Sequence, residues 1–183
     1  MRRDALHRDR SSAIRRRFAD WRGDRRGVAA IEFAFCALPF FMIVFAIIET
    51  GIVLTAGVVL ENGVDAVGRQ ILTGQLHQGE TLPSKEAFSK LVCDQVSYFL
   101  GCDKLEIDLR TFSNFASIDL TYDPTDLQYV LGEGDQISVL RVYYKWEWIT
   151  SFLHGLASSD DGTVLLSSVA AFQNEAFPCA ACK

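Results

Sequence analysis

Arg25-Arg26-Gly27-Val28-Ala29-Ala30-Ile31-Glu32-Phe33-Ala34-Phe35 opens the stretch that decides the fold. From Val28 to Leu60 there are 33 residues whose only charges are Glu32 and Glu49, and Phe33 to Ile48 carries none. A bilayer core takes about 20 helical residues, so this run is long enough to cross one as a helix with residues to spare. Upstream, residues 1–27 hold ten Arg against Asp4, Asp9, Asp20 and Asp24, a balance of +6. The remaining eight basic and nineteen acidic residues give −11, which returns the total of −5. Basic residues immediately before a span hold the N-terminus in the cytoplasm and send the C-terminal portion, about 120 residues, outward. The head therefore reads as a topology anchor. A nucleic-acid arm is disfavoured because no aromatic interleaving or reading motif accompanies the charge.

At 183 residues the chain suits one compact domain plus an appendage. Its 49% apolar and 22% charged composition is that of an ordinary globular protein only on average, since the basic head and acidic body differ so sharply.

Glu32 is the anomaly. A carboxylate at the edge of a transmembrane run costs about 2 kcal/mol or more to bury and calls for a partner. A secretory signal has a shorter apolar region with its small-residue cleavage site after it, whereas here the run is longer and Gly27 precedes it. On topology alone, an uncleaved signal anchor with Glu32 snorkelling to the headgroups also fits.

The order of basic residues, Gly27, four mostly small apolar residues, Glu32 and Phe33 resembles the processing site of type IV prepilins, particularly the Flp and TadE/TadF group of the tight-adherence system. The likeness continues through Pro39 to Ile48-Glu49-Thr50-Gly51, similar to the ending of TadE-like spans. In that family a prepilin peptidase, a membrane aspartyl protease, cuts after the glycine and leaves a glutamate as the fifth mature residue. The resemblance implies a scissile bond at Gly27-Val28, a new N-terminus at Val28, and Glu32 with Phe33 as the residues of subunit packing and N-terminus pairing. Such cleavage creates an α-amino group with a pKa near 8, and a glutamate four residues on lies about one helical turn away.

Of the five cysteines, Cys36 lies in the apolar run and packs as a small hydrophobe. Cys93, Cys102, Cys179 and Cys182 fall on the side expected to be oxidising, an even number that suggests two disulfides. Cys93 with Cys102 closes a short loop. Cys179 and Cys182 form a C-x-x-C near the chain end that reads as a terminal staple more readily than as a redox or zinc pair, since the strand-to-helix context and a second ligand pair are missing. TadE-like proteins also commonly show a cysteine pair and a tail like Ala171-Phe172-Gln173-Asn174-Glu175.

Leu60, Val64, Val67 and Ile71 recur at spacings of four, three and four, which extends the helix beyond the membrane as an amphipathic stem. Gly57, Gly63, Gly68 and Gly74 are expected to loosen it. Gly74 to Pro83 reads as a loop. Ser84 caps a second helix to about Leu100, whose apolar face holds Phe88, Leu91, Val92, Val96 and Phe99. The period then changes to two at Leu105, Ile107 and Leu109, and again at Ile118, Leu120 and Tyr122. Ile137 and Val139 begin another strand, in which Val142, Tyr144, Trp146 and Trp148 follow after a phase shift that predicts a bulge. A last strand covers Thr163 to Asn174. Asp123-Pro124 and Gly132-Glu133-Gly134 separate these elements.

The expected architecture is α+β: a leader at 1–27, a transmembrane helix at 28–50, a helical stem at 51–75, and a periplasmic domain at 76–183 with a second helix and a three- to four-stranded antiparallel sheet, compatible with a pilin-like form. Tyr143, Tyr144, Trp146 and Trp148 are expected in the sheet core. His7, His77 and His154 stand in unrelated contexts, and no phosphate loop, nucleophile elbow or metal motif is present, so neither an enzyme, a cofactor nor a bound metal is expected. The resemblance implies a minor pilin or pseudopilin for assembling a Flp pilus in the bacterial inner membrane. Its expected partners are the prepilin peptidase, other minor pilins, the Flp major pilin, the assembly platform and the membrane, without nucleic acid. The competing reading is an uncleaved, signal-anchored periplasmic binding domain.

Overall fold

The computed structural model describes residues 27–79, 81–119, 121, 123–150 and 163–177. Two helices, α1 (Val28–Leu72) and α2 (Lys85–Val96), precede three strands, β1 (Leu105–Phe112), β2 (Ile137–Glu147) and β3 (Thr163–Gln173). The chain divides into two compact units, Met1–Ala46 and Ile47–Lys183.

In the first unit the described residues after Gly27 are helix, long and apolar enough to contribute to a membrane span, and their large side chains stand exposed: Phe33, Phe35, Leu38, Phe40, Phe41, Ile43 and Phe45. The aromatic rings meet only one another, Phe40 edge-on to Phe41 at 5.4 Å.

The second unit is the α+β domain. Its core is built where α1 turns amphipathic. Val53, Ala56, Val59, Leu60, Val64, Val67 and Ile71 recur every three or four residues and are buried. α2 supplies Phe88, Val92 and Val96, with the Ser84 hydroxyl accepting from the Ala87 amide as its N-cap. The antiparallel sheet runs in the order β1-β2-β3 and contributes Ile107, Leu109, Leu140, Val142 and Tyr144 to the same cluster.

α2 ends at Val96, earlier than its apolar spacing suggests, and the turn that follows exchanges the expected roles of two residues. Phe99 is left exposed and Leu100 enters the core. The disulfide joins Cys93 of α2 to Cys102, just before β1, with Cα atoms 5.5 Å apart.

β2 contains no bulge. Its pairing with both neighbours is uninterrupted, from Leu105↔Tyr144 to Phe112↔Ile137 on one side and from Ile137↔Gln173 to Glu147↔Thr163 on the other. The apparent phase shift has another cause: both faces of this central strand are apolar and buried from Ile137 to Tyr144. Leu140, Val142 and Tyr144 face the helices, while Ile137, Val139, Arg141 and Tyr143 alternate on the reverse face. There Asp108 of β1 pairs with Arg110 at 2.8 Å and with the buried Arg141 at 3.5 Å, and also accepts the Gln128 amide at 2.8 Å. The segment carrying Gln128 thereby becomes part of the fold.

Ile118 does not lie in a strand; it follows a 3-10 turn at Phe115–Ser117, and Leu120 and Tyr122 lie outside the described residues. The outer edge of β1 is lined instead by Gln128–Val130. Leu109 N–H donates to Gln128, Val130 N–H donates to Leu109, and the Tyr129 hydroxyl donates to the Pro83 carbonyl at 2.8 Å. Burial pushes that phenol up to about 12.

The tail after β3 closes the domain. Asn174, buried, donates its side-chain amide to the Gly132 and Glu133 carbonyls, and the Glu175 amide satisfies the Leu72 carbonyl at the end of α1. Gly74, at φ 69°, makes the left-handed turn out of α1, and a Cβ there would lie 2.5 Å from the Phe177 ring. His77 is buried against the same ring at 4.7 Å, with neither ring nitrogen in a well-formed hydrogen bond. Desolvation lowers its pKa, against the opposing influence of Glu133 and the Gly132 carbonyl.

Gly63 also corrects the expectation that the stem glycines only loosen the helix. It is the point where α2 touches α1, and a Cβ there would meet Val96 Cγ1 at 2.5 Å, whereas one at Gly57 would meet nothing within 4 Å. In the full chain in detergent, Gly63→Ala is expected to lower stability by about 1–2 kcal/mol net, since overpacking outweighs the helix-propensity gain. Gly57→Ala is expected to raise it by up to about 1 kcal/mol. Equal shifts in the two unfolding midpoints would contradict the assigned contact.

The His77 environment sets a second expectation. Its folded pKa lies below the unfolded value of 6.5, so the unfolded chain binds more protons as pH falls through that value. Stability contributed by neutral His77 is complete above this pH and declines below it. The unfolding midpoint should fall between pH 7 and pH 5, and His77→Leu should flatten that dependence.

Candidate functional site

Gly27, Val28, Glu32 and Phe33 lie together at the start of α1. Gly27 directly precedes the helix, and a Cβ placed on it would touch nothing within 4 Å. Val28 is its first residue and Glu32 stands one turn further, on the same face by the i, i+4 relation. Both are exposed, as is Phe33. This end of the helix thus presents an apolar surface bearing a carboxylate, with its scissile-bond candidate directly outside the helix.

The second carboxylate of the apolar run behaves in the opposite way. Glu49 is 3% exposed. One carboxylate oxygen accepts the Ile149 amide, and the pair accepts the Thr150 amide at 3.2–3.3 Å and the Thr150 hydroxyl. A buried carboxylate must find donors, and these come from the turn after β2, one hundred residues along the chain. The sequence reading treats Glu49 only as the end of the span. Its signal was nevertheless present, because Phe33 to Leu60 is a run of 28 residues with Glu49 as its single charge.

Of the cysteine candidates, Cys93 and Cys102 are bonded, Cys36 is free and exposed, and Cys179 and Cys182 lie outside the described residues. The four aromatics do not form one surface. Tyr144 and Trp146 join the helix-facing core, Tyr143 lies on the reverse face, and Trp148 is half-buried beyond the end of β2. Among the described residues no three His, Cys, Asp or Glu side chains converge as a metal site.

Glu49→Ala would leave two backbone amides without their acceptor, at an expected cost of about 2–3 kcal/mol. Glu49→Gln, which keeps one acceptor oxygen, should cost less. Hydrogen exchange provides the local readout: protection of the Ile149 and Thr150 amides should be lost in the alanine variant, while the amides of central β2 keep their order of protection.

No curated protein and no solved structure matches the chain. One family model does, that of the TadE-like proteins, and its match begins at Gly27 and ends at Arg69. It spans the glycine, the exposed apolar helix with Glu32, the buried Glu49, and most of the core-forming stripe. Over residues 27–69, the part of the chain that holds the candidate site, this protein is TadE-like.

Proposed function

We propose that the protein is a minor pilin or pseudopilin required to assemble a tight-adherence (Flp) type IV pilus, processed by prepilin peptidase between Gly27 and Val28. The observation that carries this reading is the family match starting at Gly27, together with an exposed apolar helix whose fifth residue is Glu32. The long apolar N-terminal helix suggests a membrane anchor. In this reading the N-terminus is cytoplasmic and the α+β domain periplasmic, where the Cys93–Cys102 bond is favoured by the redox environment.

Cleavage gives the chain two new properties. It removes a leader of net charge +6, which ties the precursor to the cytoplasmic face. It also creates a cationic amine at Val28, which Glu32 of the same or a neighbouring subunit neutralises in low dielectric. The exposed rings from Phe33 to Phe45 then pack against lipid or against equivalent helices. Other minor pilins, the Flp major pilin and the assembly platform are the partners of this surface. The protein is a substrate of the peptidase and has no catalytic role of its own.

N-terminal sequencing of the protein from cells expressing the peptidase is expected to begin at Val28. An intact N-terminus there would instead support the uncleaved, signal-anchored domain. Gly27→Leu should block processing. Glu32→Ala should be processed but support few pili, and normal piliation by that variant would refute the pairing role.

A further inference from the structure

The placement of Glu49 has a consequence for where the domain meets the membrane. Exposed apolar side chains flank Glu49 on both sides along α1: Ile47 (67%) and Ile48 before it, Leu54 (67%) and Val58 after it. Phe33 to Leu60 spans about 40 Å as helix, more than the roughly 30 Å of a hydrocarbon core. The level of Glu49 therefore falls within the apolar surface of the helix. A lone carboxylate there needs shielding, and the turn after β2 provides it.

That contact fixes the height of the turn, because Ile149 and Thr150 donate their backbone amides directly to Glu49. Ile149, whose side chain is 73% exposed, is held beside the exposed apolar residues of α1, and half-buried Trp148 precedes it. Charge appears only on moving back along the strand. Glu147 pairs with Lys104 at 3.1 Å, and Lys145 with Glu106 at 2.8 Å. At about 3.3 Å per residue, these pairs lie about 7 and 13 Å from Ile149 along β2. An apolar tip with an aromatic neighbour, succeeded by ion pairs that include lysines, follows the polarity gradient of a membrane interface.

We infer that the turn after β2, with Ile149 at its tip, is seated in the interfacial layer of the bilayer, so that Glu49 docks the domain onto the lipid surface. This rests on the reading of α1 as a membrane anchor, and the test separates the two. Full-length protein is reconstituted in phosphatidylcholine/phosphatidylglycerol vesicles with or without acyl chains brominated near the headgroup. With Trp21, Trp146 and Trp148 changed to Phe, a single tryptophan is placed at Ile149, at Ile43 within the apolar helix, or at Phe115. Phe115 is an exposed control beyond the end of β1 that pairs with Ile137, at the opposite end of β2 from the tip. A fourth variant, Trp21→Phe with Trp146→Phe, keeps Trp148 as the native probe and leaves Ile149 untouched.

The expected result is loss of emission for Ile149→Trp and Trp148 comparable to that for Ile43→Trp, with none for Phe115→Trp. Quenching at Ile43 without quenching at Ile149 and Trp148 overturns the inference and leaves the anchor standing. No quenching at any position overturns the anchor reading and the inference with it. Quenching at Phe115 as strong as at Ile149 also overturns it, since the tip would then have no special place.

Discussion

One helix has to satisfy two different surroundings along its length. The first twenty or so residues of α1 bury almost nothing within the chain, whereas from Val53 to Ile71 a stripe at helical spacing is enclosed by α2 and the sheet. The two portions share a backbone, so neither register nor direction can be adjusted for one without moving the other. Much of the remaining architecture answers this constraint. Gly63 lets α2 lie close against the stripe, the disulfide ties the end of α2 to the start of β1, and the tail after β3 takes up a carbonyl left open where α1 ends.

The polar interior follows the same economy. Each buried ionic group sits where two parts of the chain must be held together. Glu49 joins the helix to the turn after β2, and Asp108 joins β1 to Arg141 of β2 and to the segment carrying Gln128. Such groups gain little over an apolar packing of the same volume, but removing one partner is costly, so they specify which segments meet. The sheet can be apolar on both faces because the reverse face is closed by this second arrangement as well as by its own side chains.

The division along α1 also separates stability from assembly. The exposed rings between Phe33 and Phe45 belong to a unit that contributes nothing to the domain core, so they are free to meet lipid or other helices without cost to the fold. The domain in turn keeps its core, caps and disulfide within residues 47–183. A TadE-like segment that begins at Gly27 and ends at Arg69 crosses this boundary, and so carries both the exposed surface and the helix on which the domain is built.

The apolar run, the stripe at Leu60, Val64, Val67 and Ile71, the Ser84 cap, the paired cysteines at 93 and 102 and the outer strands were all legible in the sequence. Each depends on neighbours within a few residues, or on a short loop, and local periodicity records such relations directly. The candidate segment from Gly27 to Phe33 was legible for the same reason. What the sequence could not fix was decided by contacts between distant segments. The phase change at Val142 looked like a bulge because alternation assumes one buried face, and only the tertiary arrangement buries both. Ile118 had the pattern of a strand, yet Gln128–Val130 took the edge of β1. Gly63 looked like a weakness until Val96 was placed against it, and Glu49 was a charge without a partner until the chain returned to it at Ile149. Local spacing by itself determined which residues form elements and which faces are apolar; only tertiary structure decided what each face and each buried charge would meet, because those partners lie tens to a hundred residues away.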